Sequence, residues 1–274
     1  MKRISFRLVI AVTLLLVILL GSLLAPLIAP YDPLKQDMRN SLQGPSREHL
    51  LGTDNLGRDY FSRVLYGGRQ SILLAFAATA LSMALGCLIG LAAGYYGGPV
   101  DALITTISNV FQGLPGLTLM IAVAGLMGPG IPGMLTAIVI NSWVGFSRIV
   151  RGEVMRLKRE CFIDGLRTVG AGNVRILFSH ILPNLLGTFC VIFATRVAGV
   201  VIAVASLSYL GLGLQPPQPD WGVMINDARM YFRRRPVLVI APGACIFLLS
   251  LSVNLLADEL RDRFDTGSDN MKNM

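Results

Sequence analysis

Charge is scarce in this sequence: Asp, Glu, Lys and Arg together make up 15% of its 274 residues, against roughly a quarter in soluble domains. Histidine occurs only as His49 and His180. The four cysteines, Cys87, Cys161, Cys190 and Cys245, are scattered without disulfide or metal-site spacing and read as small packing residues. G-x-x-x-x-G-K-[ST] occurs nowhere, which excludes a phosphate-loop ATPase on this chain. Gly211-Leu212-Gly213 lacks both the G-x-G-x-x-G arrangement and a βαβ setting, so it is no nucleotide loop either. Zinc-finger spacing, RNA-binding signatures and basic–aromatic stripes are absent, and the net charge of +8 does not point to nucleic acid. With no nucleophile–base or metal constellation, the sequence predicts no catalytic residue, metal ligand or cofactor.

What is abundant is apolar. Hydrophobic residues make up 53% of the chain and the mean hydropathy is +0.62. Apolar runs of about 18 residues or more are candidate membrane crossings. Six are found, at 8–29, 72–95, 102–127, 134–150, 184–213 and 236–257. They predict an all-α fold, a polytopic membrane helical bundle with six transmembrane helices. Gly86, Gly90, Gly94, Gly113, Pro115 and Pro242 fall inside these runs, where membrane helices tolerate them and glycines permit close contact. The first run follows Lys2 and Arg3 and is longer than the apolar core of a cleaved signal, so it reads as an anchor.

Orientation follows from the basic residues. The cluster Arg148, Arg151, Arg156, Lys158 and Arg159 beside the fourth run, with Lys2, Arg3 and Arg7 before the first, predicts the amino terminus inside. An even number of crossings then puts both termini in the cytoplasm. Arg261, Arg263 and Lys272 lie on that side, whereas Arg233-Arg234-Arg235 falls outside, as a solvated edge near headgroups. His49 and His180 are on opposite sides and cannot share a metal.

Glu160 to Asn184 interrupts the apolar pattern with ECFIDGLRTVGAGNVRILFSHILPN. Phe162, Leu166 and Val169 have the spacing of one helical face. Gly170-Ala171-Gly172 breaks that helix, and Asn173 is placed to cap a second one carrying Val174, Leu177, Phe178 and Ile181 on its apolar side. Pro183 is expected to end it. Such a helix-turn-helix at a cytoplasmic membrane face is suited to docking a partner.

On the outer side, Pro30-Tyr31-Asp32-Pro33 opens a segment that leads to Leu51-Gly52-Thr53-Asp54-Asn55-Leu56-Gly57-Arg58-Asp59 and then Phe61 to Arg69. Gly52 and Gly57 allow backbone angles closed to other residues, and Asp54, Arg58 and Asp59 can lock the turn by ion pairing. Further on, Trp221 either anchors at the membrane interface or meets an external partner. Within the runs, Arg196 is the exceptional charge: it either marks a solute pathway or reaches out to headgroups or a neighbouring subunit. Asn109, Gln112, Asn141 and Ser142 are further candidates for a lumen or for bonds between helices.

Four motifs, in order along nearly the whole chain, resemble the second permease subunit of ABC-type importers for dipeptides, oligopeptides and nickel. They are LGTDNLGRD with the Phe61-Ser62-Arg63 that follows; Glu160, Gly170 and Ile181-Leu182-Pro183; Leu207 to Gly213 with Gln215-Pro216-Pro217 and Asp220-Trp221-Gly222; and Asn254 to Asp262. Gly165 and Leu166 stand where the family usually has two alanines. The resemblance implies that the inner loop, through Glu160, Phe162, Gly165, Gly170, Ile181 and Pro183, couples to an ATPase subunit. It implies a homologous permease as heterodimer partner, two cytoplasmic ATP-binding subunits and an extracytoplasmic solute-binding protein, with Asp54, Arg58 and Trp221 as external contacts. It also implies a multi-pass place in a bacterial inner membrane, in contact with lipid. Residues 1–70 would be an anchor and outward loop, and 71–274 the permease core. The implied function is half of the translocation pathway for peptides or nickel chelates, with ATP hydrolysed elsewhere. The segment Trp221 to Arg229 resembles the nickel branch somewhat more. The rival reading, a self-sufficient channel or secondary transporter, would need acidic residues or broken helices at mid-membrane to bind a coupling ion, and no Asp or Glu falls inside any of the six runs.

Overall fold

The computed structural model describes residues 6–272, with side chains for residues 8–259. Lys2 and Arg3 lie outside the described residues, and Arg7, Arg261, Arg263 and Lys272 outside those with described side chains. The principal helices are α1 (Phe6–Leu23), α2 (Tyr60–Tyr96), α3 (Gly98–Gly113), α4 (Gly116–Met127), α5 (Ile131–Leu157), α6 (Cys161–Thr168), α7 (Leu186–Tyr209), α8 (Trp221–Ala228) and α9 (Val237–Lys272). Among the described residues the only β pairing is the isolated bridge between Thr53 and Asp59.

Four helices, α2, α5, α7 and α9 as far as Glu259, are long and apolar enough to cross a membrane. The third expected run is broken: α3 and α4 meet at an angle of 94° and make a fifth crossing only if taken as one. Pro115 lacks an N–H and drives the residue before it out of the helical region, and Leu114 is extended at φ −89°, ψ 140°. The first expected run is divided too. Its apolar helical stretch Leu8–Leu23 falls short of a full crossing, and a separate turn, Ala25–Ile28, follows with Pro26 in its opening positions. The second run starts earlier than its hydropathy suggests. Asp59 caps α2, its Oδ2 accepting the Ser62 N–H at 2.8 Å, so Phe61 to Arg69 is helix rather than loop.

The most extensive helix pairing is α2 with α5, and the sequence shows why. Gly86, Gly90 and Gly94 recur every four residues and turn one bare stripe of α2 towards α5. A Cβ on Gly86 would lie 2.5 Å from the Phe146 Cβ, on Gly90 2.6 Å from the Ser147 carbonyl oxygen, and on Gly94 2.8 Å from that of Arg151. Backbone thus meets backbone, the close approach that small residues give membrane helices. Around this pair lie two apolar cores. One joins α2, α4, α5, α7, α8 and α9 about Trp221, Met134, Ile138 and Leu207. The other joins the carboxyl-terminal ends of α2 and α5 to the following loop through Leu91, Val154, Ile163, Ile176 and Ile181. α1 lies along α9 and α2.

Candidate functional site

Between α1 and α2, residues 31–59 form a strap tied to the helices by buried polar groups. Asp54 organises it: Oδ1 accepts the Leu56 N–H at 2.9 Å and the Arg58 N–H at 3.0 Å, while Oδ2 takes the Arg58 Nε–H at 2.6 Å. The Arg63 Nε stands 3.4 Å from the same oxygen, and its Nη1 donates to the Pro33 carbonyl at 3.1 Å. Gly57 turns at φ +73°, and a Cβ there would collide with the Asp37 carbonyl at 1.7 Å. The Tyr60 hydroxyl donates to the Leu238 carbonyl, and Arg235 Nε to that of Leu42 at 2.8 Å, which ties α2 and the strap to the start of α9.

Asp54, Arg58 and Trp221, expected as external contacts, are only 6%, 3% and 1% exposed. All three lie beneath the surface of the described residues, each drawn inside by the groups it satisfies. Trp221 donates its indole N–H to the Val64 carbonyl at 2.9 Å and packs on Gly67 and Gly68, so it is no interfacial anchor. Asp59 likewise does not share the Asp54–Arg58 pair: besides capping α2, it meets His49 Nδ1 at 2.9 Å. The sequence signal for this role was Asp59 three residues before Ser62, a capping pattern hidden by the loop-like Gly67-Gly68 downstream.

A second buried carboxylate holds α8. Asp220 Oδ1 accepts the N–H groups of Gly222 at 2.9 Å and Val223 at 3.2 Å, and Oδ2 accepts the Ser71 hydroxyl at 2.7 Å. Burial pushes its carboxyl above the usual range, and these donated bonds oppose that shift. Asp220→Ala would strand three buried donors, each costing about 1–3 kcal/mol, so we expect a loss of about 3 kcal/mol or more. Asp220→Asn, which keeps an acceptor for the helix start, should lose less than half of that. Thermal unfolding of the purified chain gives the comparison; an Ala variant as stable as wild type would refute the capping account.

The loop after α5 is two short helical segments rooted in the second core. Glu160 precedes α6 without a side-chain cap bond and pairs with Arg156 at 3.6 Å. The buried face of α6 is Ile163 with partly buried Leu166, whereas Phe162 and Val169 are 44% and 80% exposed. Gly165 is exposed with open space beside it, and Gly170 makes the expected break at φ +79°. The second half runs Asn173–Arg175, a π-helical turn Ile176–Ile181, and Leu182–Asn184. Ile176, Leu177 and Ile181 are buried there, but Val174 and Phe178 are 66% and 48% exposed. The two apolar faces expected from spacing are therefore each split, with Ile163 and Ile181 as roots and four large apolar side chains turned outward.

Two further expectations are corrected here. Asn173 caps nothing; its Oδ1 accepts the Tyr95 hydroxyl at 2.8 Å. Lys158 Nζ in turn donates to the Tyr95 carbonyl and lies 5.5 Å from its ring centre, so one tyrosine joins the ends of α2 and α5 to the loop. Pro183 does not end a helix, because the π turn before it widens the hydrogen-bond register and the chain continues helically into α7.

Four of the five lumen candidates meet. Gln112, Asn141 and Arg196 line one cavity of about 330 Å³ with Ser142 and Gly145. Asn109 stands apart and accepts from Arg148 Nη2 at 2.7 Å. Arg196 lies flat on Gly145, where an added Cβ would sit 2.9 Å from its Nη2. No acidic side chain lines the cavity, and Arg196 has no ion pair or hydrogen bond among the described residues.

The described residues thus make a helical bundle with four or five candidate membrane crossings and a structured loop after α5. Residues 86–266 match the family described as binding-protein-dependent transport system inner membrane component, and residues 8–45 the N-terminal TM domain of oligopeptide transport permease C. The chain is 43% identical over 242 residues, 88% of its length and 80% of the relative's, to a glutathione transport system permease protein, GsiD, of Pectobacterium atrosepticum. It is 42% identical to that of an Escherichia coli strain, over 93% of this chain and 84% of the relative. It is 39% identical to the dipeptide transport system permease protein DppC of Alkalihalophilus pseudofirmus, over 90% and 81%. In fold it is similar to an amino acid ABC transporter solved with histidines (TM-score 0.58, 18% identity, 74% of this chain and 95% of that one). The methionine ABC transporter MetNI in inward-facing form is similar as well (TM-score 0.55, 14% identity, 72% and 96%). The chain belongs to the binding-protein-dependent inner-membrane permeases of ABC importers, in the peptide family, and is a multi-pass inner-membrane protein.

Proposed function

We propose that this chain is one permease of an ATP-driven importer of short peptides, of the dipeptide or glutathione size that its relatives' names carry. The observation that carries the reading is the inner loop. Ile163, Ile176 and Ile181 are fully buried in the core, while Phe162, Val169, Val174 and Phe178 stand in the open. Burying each isoleucine contributes about 1.5–3 kcal/mol, so the loop is fixed in place, and its exposed apolar set supports a role as a surface for an ATPase subunit. Two such subunits hydrolyse ATP, a homologous permease completes the pathway, and an external binding protein delivers cargo.

In this reading α1 and the bent α3–α4 pair each complete a crossing, giving six, with both termini inside. Residues 1–70 serve as anchor and outer strap, and 71–274 as the permease core. Gln112, Asn141 and Arg196 belong to the half of the lumen this chain supplies. Motion of the ATPases reaches the helices through the loop's root and the Tyr95 junction, a rigid-body shift rather than local bending.

Gentle purification of the tagged chain from its native membrane, followed by identification of what accompanies it, tests the assembly. We expect a second permease and phosphate-loop ATPases, and, after reconstitution with the binding protein, ATP-dependent uptake of dipeptide or glutathione. A chain that purified alone and moved solute without ATP would replace this reading with a channel or secondary carrier.

A further inference from the structure

We propose that Arg196, laid against Gly145, is the point at which this permease recognises a carboxylate of its cargo during passage. This inference rests on the importer reading above and adds the chemical group that the lumen selects. A guanidinium in the middle of a membrane helix is costly unless it is paired or hydrated. Here it stands exposed at the open side of the cavity and nothing neutralises it: no acidic residue lines the cavity, and the side chain has no hydrogen bond or ion pair among the described residues. Its forked donors are therefore free for the two oxygens of one carboxylate, the geometry in which arginine binds most strongly.

Gly145 makes the arrangement possible. A Cβ there would lie 2.9 Å, 3.1 Å and 3.3 Å from Nη2, Cζ and Nη1, so the absent side chain is the space the flat group occupies. Asn141 lies against a glycine in the same way, since a Cβ on Gly116 would come 3.0 Å from its Oδ1. With Gln112 and Ser142 it adds neutral donors and acceptors to the same cavity, suited to peptide amide groups. The site thus pairs one fixed cation with uncharged polar groups, complementary to a short peptide with a free carboxyl end and poorly matched to a cation.

The test is equilibrium binding of labelled Ala-Phe, its carboxyl-terminal amide and glutathione to the assembled permease–ATPase complex in nanodiscs, without the solute-binding protein. Wild type should bind Ala-Phe about thirty-fold more tightly than the amide, which is about 2 kcal/mol at 1.4 kcal/mol per tenfold. Arg196→Gln should bring that ratio close to one, and Arg196→Lys should leave it in between. Where Arg196→Gln fails to assemble by size-exclusion chromatography, Gly145→Ala displaces the guanidinium with the charge retained and should lower the ratio likewise. A wild-type ratio near one, a ratio unchanged by these substitutions, or binding of neither acid overturns the inference. ATP-driven uptake by the same preparation reports on the importer reading separately. Uptake intact with no Arg196-dependent binding removes this inference alone; Arg196-dependent binding without ATP-driven uptake removes the importer reading and leaves the carboxylate site.

Discussion

A Val174→Asp, Phe178→Asp double variant is expected to accumulate normally in the membrane and to lose uptake about a hundred-fold. The two positions are four apart and share a helical face, and both are largely exposed, at 66% and 48%. Their replacement therefore removes nothing from the core that Ile176 and Ile181 build. An aspartate at position 174 even suits the first turn of its helix, where negative charge is favoured. Against a partner surface the effect reverses, because an unpaired carboxylate buried in an apolar contact costs several kcal/mol; at 1.4 kcal/mol per tenfold, about 3 kcal/mol already gives the hundred-fold loss. Three measurements on one preparation decide it: thermal unfolding of the permease, ATPase retained on purification, and uptake in vesicles. Unchanged uptake would dismiss the loop as a coupling surface, whereas unfolding would contradict the split of buried and exposed residues.

Gly90→Leu should prevent the chain from reaching its folded state at all. The substituent would start 2.6 Å from the Ser147 carbonyl oxygen and 2.8 Å from the Val150 Cβ, against backbone and a branched side chain that cannot swing away. Overpacking a core by a methylene or so costs about 1–3 kcal/mol; forcing α2 from α5 along their whole contact should exceed that several-fold. Gly90→Ala should give a graded loss of about 1–3 kcal/mol. Gly125→Ala, in a helix where nothing lies within 4 Å of the added carbon, is the control and should change stability by no more than about 1 kcal/mol. Fluorescence-detected chromatography of the three variants measures the folded fraction. A well-folded Gly90→Leu variant would show that the stripe is not a contact.

Much of this architecture was legible in composition and periodicity. Long apolar runs mark helices wherever their interior holds no proline at a helix-breaking register, and α5, α7 and α9 follow their runs closely. Pro26 and Pro115 were visible as well, but whether a membrane proline kinks or breaks a helix depends on what re-satisfies the backbone, which is tertiary information. The inner loop's break at Gly170 was readable because glycine alone reaches φ +79° without strain. Which of its apolar side chains turn inward was not. Phe162 and Ile163 are adjacent, and only the position of Leu91 and Val154 across the gap decides between them. The outer face misled for a related reason. Asp54, Arg58 and Trp221 look like surface chemistry in a sequence, yet all three are buried: Asp54 and Arg58 hold each other and the nearby Arg63, and Trp221 is met by Val64, far along the chain. Arg196 was recognisable as an anomaly from its setting; Gly145 as its seat was not, since no spacing rule links positions on two different helices.

The ties of the strap also bear on when its contacts can form. The Tyr60 hydroxyl finds its acceptor 178 residues later in the chain, and the Leu42 carbonyl its donor 193 residues later. While the ribosome is still making the intervening helices, both groups must be served by water or by a membrane insertase. The carboxylate and guanidinium groups around Asp54 then have no lid at the α9 side. The strap therefore gains these two ties only when the start of α9 is in place, so its fixing to the bundle is a late, non-local step of folding.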